Sequence, residues 1–118
     1  MNFMMADLSI DGTSTVAKLD DGTTLTLARQ NLPAGRYELG IRPENVRVAA
    51  GVGATSGTAD VVENLGDRKF IYVNLTDGAR MIVLDSGKST IRPGDTVPLE
   101  FDADGVHVFN ESGQSLTA

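Results

Sequence analysis

Hydrophobic and polar residues alternate with a period of two along most of this chain, in short runs. Tyr37, Leu39 and Ile41 share one side of such a run. An Arg42-Pro43-Glu44-Asn45 turn follows, and Val46 and Val48 continue the alternation beyond it. Successive side chains of a strand point to opposite faces, so this period marks half-buried strands. The pattern predicts strands over Asp7–Ile10, Thr15–Leu19, Thr23–Ala28, Tyr37–Ile41, Val46–Ala49, Thr58–Leu65, Lys69–Leu75, Arg80–Leu84, Thr96–Phe101 and Val106–Phe109. No helical periodicity is sustained anywhere, so little or no helix is expected. Frequent Gly and Pro break the chain into short segments, as in sandwiches and barrels.

Asp21-Gly22 and Asp77-Gly78 each join two alternating runs. A type I′ hairpin turn needs positive φ at both central residues, which Asp and Gly tolerate best, so the pairs predict two such hairpins. The hairpins also open an internal duplication. Leu19-Asp20-Asp21-Gly22 returns as Leu75-Thr76-Asp77-Gly78, and Tyr37, Leu39, Ile41, Val46 and Val48 return as Val97, Leu99, Phe101, Val106 and Val108. Pro43 becomes Ala103 in the second copy and Glu44 becomes Asp104. The expected architecture is all-β, an OB-like barrel built from two related units at about residues 7–49 and 58–109. The Gly-rich segment 50–57 is expected to join them as a loop.

A length of 118 residues suits a single domain with one modest core, since either unit alone is too small to fold. The longest apolar runs, such as Met81-Ile82-Val83-Leu84, are strand-sized and too short to span a membrane. No secretory leader is recognisable, so the mature chain is expected to start at Met1. The absence of cysteine favours a reducing, cytoplasmic setting. The net charge is −6, and only Arg68-Lys69 are adjacent basic residues, which speaks against nucleic-acid partners and against anionic membrane surfaces. A protein surface or a neutral small molecule is the partner this charge allows.

Catalytic chemistry finds little support. His107 is the sole histidine and alternates with apolar Val106 and Val108, so it should face solvent or a rim. Ser86 in Asp85-Ser86-Gly87-Lys88 lacks the spacing of a phosphate-binding loop, and no Ser-containing nucleophile elbow accompanies it. Asp20-Asp21 and Asp102-x-Asp104 place carboxylates in turns without the further ligands of a calcium loop. No catalytic, cofactor or metal site is therefore expected. Arg42 and Glu44, flanking Pro43, and Phe109, ending the last strand, are candidate contacts for a partner.

Several motifs occur in a fixed order: Met1-Asn2-Phe3, Leu39-Gly40-Ile41-Arg42-Pro43-Glu44, Val62-Glu63-x-Leu65-Gly66 and His107-Val108-Phe109-x-x-x-Gly113. Together they resemble the transport-associated OB (TOBE) domain at the carboxyl end of ATP-binding subunits of maltose/glycerol-phosphate-type ABC importers. The resemblance covers essentially the whole chain. Its signature positions are Leu39, Gly40, Arg42, Pro43, Glu44, Glu63, Leu65, Gly66, His107 and Phe109. Asn45 stands where that family often has His, and Val108 where it often has Leu. The phosphate-binding loop and signature helix of the ATPase are missing, so the chain looks like a piece cut at the domain junction.

The resemblance implies a non-catalytic regulatory and dimerisation domain that holds an ATPase dimer together and offers a surface to regulatory proteins. It implies ATP and Mg only in the parent subunit. It also implies partners in a second copy, the parent's own ATPase domain and the membrane subunits. The location would be cytoplasmic and peripheral on the inner face of the membrane, without insertion. The alternative is a module binding a small ligand, an oxyanion or a sugar effector. The Ser-Ala-Arg-Asn-like segment of related oxyanion-binding barrels is absent.

Overall fold

The computed structural model describes residues 1–12, 14–27 and 32–116. Ten strands follow one another: β1 Asn2–Asp11, β2 Ser14–Leu19, β3 Thr24–Leu27, β4 Gly35–Ile41, β5 Val46–Val48, β6 Thr55–Asn64, β7 Arg68–Leu75, β8 Arg80–Ser86, β9 Thr96–Phe101 and β10 Val106–Phe109. Single 3-10 turns at Pro43–Asn45 and Ala103–Gly105 precede β5 and β10, and no α-helix occurs among the described residues.

The strands form two five-stranded antiparallel sheets, β10-β4-β1-β2-β3 and β5-β9-β6-β7-β8. The orders are the same if β1–β5 are matched with β6–β10, except that the fifth strand of each set has crossed over. β5 pairs with β9, and β10 pairs with β4. Even the residue pairs correspond: Val46 faces Phe101 and Val48 faces Leu99, while Val106 faces Ile41 and Val108 faces Leu39. β8 lies along β5 and the first 3-10 turn, and β3 meets the second, so each sheet curls towards closure. One apolar core runs through both sheets, with Leu39, Ile41, Ile71, Val73, Val83, Val97 and Leu99 fully buried.

Three details of the strands differ from the sequence expectation. β1 begins at Asn2, not Asp7, and its inward residues are Asn2, Met4, Ala6 and Leu8. Alternation is invisible there because the outward residues Met1, Phe3 and Met5 are apolar too. Thr55, Ser56 and Gly57 belong to β6, so the loop between the units is shorter than residues 50–57. Within β6 the register shifts between Ala59 and Val61, a bulge that the periodicity did not announce. The end of the expected strand Thr23–Ala28 lies outside the described residues.

The Asp-Gly hairpins are three-residue loops, not two-residue type I′ turns. Gly22 N donates to Leu19 O at 2.9 Å and Leu19 N donates to Thr23 O at 2.8 Å. Gly78, Leu75 and Ala79 repeat this at 3.0 and 2.8 Å. Gly22 and Gly78, at φ 90° and 86°, supply the left-handed residue that closes such a loop. Asp21 and Asp77 turn their carboxylates onto the amides of Thr23 and Ala79, both at 2.9 Å, which fixes both loops the same way.

The 3-10 turn has survived the loss of Pro43 in the second unit. In the first, Pro at the opening position fixes φ, and Arg42 provides no side-chain cap. In the second, the Asp102 carboxylate accepts from Asp104 N at 3.1 Å, so a cap does the work of the ring.

Candidate functional site

The outward face of β1 carries the most exposed apolar surface of the first sheet. Met1, Phe3 and Met5 are 47%, 53% and 38% exposed. Across the ladder Phe3 faces Gly40, which in turn faces His107, and Met5 faces Glu38, which faces Phe109. Gly40 has no side chain to interrupt this row. A Cβ there would come within 2.6 Å of the Met1 sulfur and 2.9 Å of the Phe109 ring. The empty position lets the half-buried Phe109 pack edge-to-face with Phe3, ring centroids 6.0 Å apart.

This Met/Phe patch opens onto a cleft of about 430 Å³ between β1 and the two Asp-Gly loops. Asp20, Asp21, Glu38 and Asp77 line the cleft beside Phe3 and Met5, and no basic residue does. Arg36 on β4 reaches the cleft's Asp20 from outside. It is held by Asp20 at 2.8 Å and Asp7 at 3.2 Å, and those hydrogen bonds raise it above its usual range. Burial tends to raise the Asp21 carboxyl. Hydrogen bonds from the Thr23 hydroxyl and amide and from Thr55 outweigh that, leaving it below the ordinary carboxylate range. The Thr55 hydroxyl donates to Asp21 Oδ2 at 2.7 Å, tying the first loop to β6.

The second sheet has a counterpart cleft of about 530 Å³, but Ala54, Thr55, Ser56 and Pro98 line it where Phe3, Met4, Met5 and Glu38 line the first, and Asp21 is its one carboxylate. Met4 faces Leu39 as Thr55 faces Leu99, so Phe3, Met5 and Phe109 correspond to Ala54, Ser56 and Ala49, and Gly40 to Glu100. What the second unit displays instead is the scattered apolar residues Val52, Val61 and Leu65 and a polar cluster on β6–β8. Arg80 pairs with Asp60 at the bulge at 3.3 Å and lies 5.2 Å over the Tyr72 ring.

Of the predicted signature residues, Leu39 is core, Gly40 is the floor of the patch, and His107 and Phe109 border it. Glu63 accepts from the Tyr72 hydroxyl at 3.3 Å. Leu65, 43% exposed, and Gly66, at φ 93°, form the tip of the β6–β7 hairpin. Arg42 and Glu44 are exposed on the first 3-10 turn. The three candidate contacts are not together: Phe109 sits opposite Glu38, and Arg42 is four residues further along the same strand direction, roughly 13 Å away. The sequence marked Met1 and Phe3 only as part of a motif and the Asp loops only as turns, and it did not single out Met5. Three outward apolar residues in a row before a strand were the available signal. Among the described residues no group of His, Cys, Asp and Glu is arranged to hold a metal, and no helix is long and apolar enough to cross a membrane.

Residues 39–109, more than half of the chain, match the family model described as TOBE domain. An alpha-glucoside transport ATP-binding protein of Rhizobium meliloti is 30% identical over all of this chain. A lactose transport ATP-binding protein of Rhizobium radiobacter is 33% identical over 98% of it. An sn-glycerol-3-phosphate import ATP-binding protein of Brucella abortus is 31% identical over 73% of it. The chain spans 34%, 34% and 26% of the lengths of these relatives. Among solved structures, the cytoplasmic molybdate-binding protein ModG with molybdate bound superposes with a TM-score of 0.74. That match covers 91% of this chain and 94% of the other at 14% identity. The last likeness is one of fold: an OB-type architecture built from paired barrel-like units.

Proposed function

The chain belongs to the TOBE domain family, and we propose that it is the non-catalytic regulatory and dimerisation module of the ATP-binding subunit of a sugar importer. One observation carries this reading. Relatives matched along nearly the whole chain are ATP-binding proteins for alpha-glucoside, lactose and maltose transport, and the chain spans only about a third of each. In this reading ATP and Mg belong to the remainder of the parent subunit, and the module itself performs no chemistry. It works in the cytoplasm, on the inner membrane face, beside the importer's membrane subunits. It inserts into no membrane and binds no nucleic acid.

Its task is mechanical. Two modules in contact keep two ATPase domains at high effective concentration, so that they re-close after each opening without a fresh encounter. Arg42, Glu44 and Phe109 are the candidate contacts, for a second copy or for a regulatory protein. Sedimentation of this chain at millimolar concentration is expected to show a weak or moderate homodimer. A strict monomer under those conditions removes the pairing role.

A second reading, binding of an oxyanion or a sugar effector, draws on the shared fold with a molybdate-binding protein. The four carboxylates lining the cleft beside Phe3 weigh against an anion there. Calorimetric titration with molybdate, tungstate, sulfate and a set of sugars separates the readings. Heat on any of them supports ligand binding, and flat traces remove it.

A further inference from the structure

The Met/Phe patch and the cleft beside it form one continuous surface, apolar at its centre and acidic at its edge. Met1, Phe3, Met5 and Phe109 supply the apolar part, and Asp20, Asp21, Glu38 and Asp77 the acidic part. We propose that this surface docks a partner protein through a basic, apolar segment, whose arginine or lysine enters the cleft while an aliphatic or aromatic side chain covers Phe3. The proposal rests on the regulatory reading for its biological sense, and it names the chemistry of the partner.

Three observations select this occupant. First, the surface is not a by-product of the repeat. Met1, Phe3, Met5 and Phe109 have Val52, Ala54, Ser56 and Ala49 as their equivalents in the second unit, and Gly40 has Glu100, so the paired aromatic rings over a glycine belong to the first sheet. An exposed cluster of Met and Phe on a small domain marks an interaction surface, and methionine adapts to varied partners. Second, the charge at its edge is of one sign. Arg36, the neighbouring cation, is already neutralised by Asp7 and Asp20. Asp20 is spent on that pair, and Asp21, Glu38 and Asp77 are left to present a net negative potential to whatever covers Phe3. Third, that potential disfavours a second copy. Two-fold packing of this face on itself would set Glu38 and Asp77 of one chain near the same acidic edge of the other. The pairing role proposed above then falls to Arg42 and Glu44 on the first 3-10 turn, and Phe109 is the contact for the docked partner.

The test uses the chain and a short synthetic peptide of alternating arginine and leucine, followed by amide NMR. The amides of Met5, Gly40 and Gly78 are expected to shift. The double reversal Glu38→Lys with Asp77→Lys is expected to weaken binding about tenfold, as is Phe3→Ser. All three positions are exposed, so the variants should keep the parent amide spectrum elsewhere. A control peptide of arginine and glycine should bind at least about tenfold more weakly. Equal binding of that control overturns the proposal, because charge alone then accounts for it. So do shifts mapping to another face, or an unchanged affinity in the double reversal. Shifts of the same amides on raising the protein concentration alone would assign the face to a second copy and also overturn it. Sedimentation can still succeed or fail independently, so the two readings fall separately.

Discussion

The side chain of Asn2 behaves as a strand neighbour of Ile82. Its amide nitrogen donates to Ile82 O at 2.8 Å and its oxygen accepts from Ile82 N at 2.7 Å. Asn2 begins β1 in the first sheet and Ile82 lies in β8 at the edge of the second, so one side chain stitches the two sheets together. It also satisfies an edge that would otherwise present unpaired groups. Asn2 is buried although polar, which is tolerable because both ends of its amide are used.

Asn2→Ala should therefore destabilise the fold by about 2 kcal/mol, because both Ile82 groups lose their partner at once. Asn2→Asp should cost at least as much. A carboxylate still accepts from Ile82 N but meets Ile82 O with no proton to give. Urea denaturation of the variants measures both.

The pH dependence of stability should contain a share belonging to Asp21. Its folded carboxyl lies below the ordinary value of 3.8. Such a group contributes stability that is fully present above the unfolded value and is lost as pH falls through the folded one. Asp21→Asn and Thr55→Ala should each lower stability at neutral pH, by about 1 kcal/mol for the lost hydrogen bonds. The gap between wild type and Asp21→Asn should narrow below about pH 3.8. Denaturant midpoints from pH 7 downwards test it.

Glycine substitutions should separate backbone contacts from side-chain contacts. A Cβ on Gly57 would lie 2.5 Å from the backbone oxygen of Asn74, which cannot move without breaking the β6–β7 ladder. Gly57→Ala should cost about 2–3 kcal/mol. Gly40→Ala meets only the mobile ends of Met1, Phe109 and Phe3, so it should cost less while moving the Phe3 and Phe109 ring resonances. Gly51→Ala meets nothing and should stay within about 0.5 kcal/mol of wild type. Thermal melts rank the three.

Cutting the chain between Ala50 and Gly53 should leave two pieces that do not fold apart but fold when mixed. Each piece carries strands one to four of its own sheet and the fifth strand of the other. Circular dichroism of the separate and combined pieces should show β-structure only in the mixture. Folded pieces in isolation would contradict the exchange of β5 and β10.

Much of the fold was legible where outward residues were polar. Leu39, Ile41, Val97, Leu99, Val106 and Val108 alternate with polar or small neighbours, and all are buried as their period predicts. The reading failed at β1, where Phe3 and Met5 are apolar for a reason outside the core, and at Thr55–Gly57, where small residues disguise a strand. The candidate surface was half legible. Phe109 stood out as an aromatic at a strand end, but Arg42 and Glu44 lie on a separate turn. Nothing in the spacing brings Phe3 to Phe109, which are joined only through β4.

The sequence by itself determined most of the strands, the positions of both Asp-Gly loops, the duplication and the family, because these depend on local alternation, turn chemistry and ordered motifs. Only the tertiary structure decided that the fifth strands change places, that Asn2 closes the gap to Ile82, and that Met1, Phe3, Met5 and Phe109 meet over Gly40 beside an acidic cleft. Each of those is a contact between distant residues. Local periodicity can say which face a side chain takes, but pairing of strands far apart in the chain is set by how the sheets bury their common core.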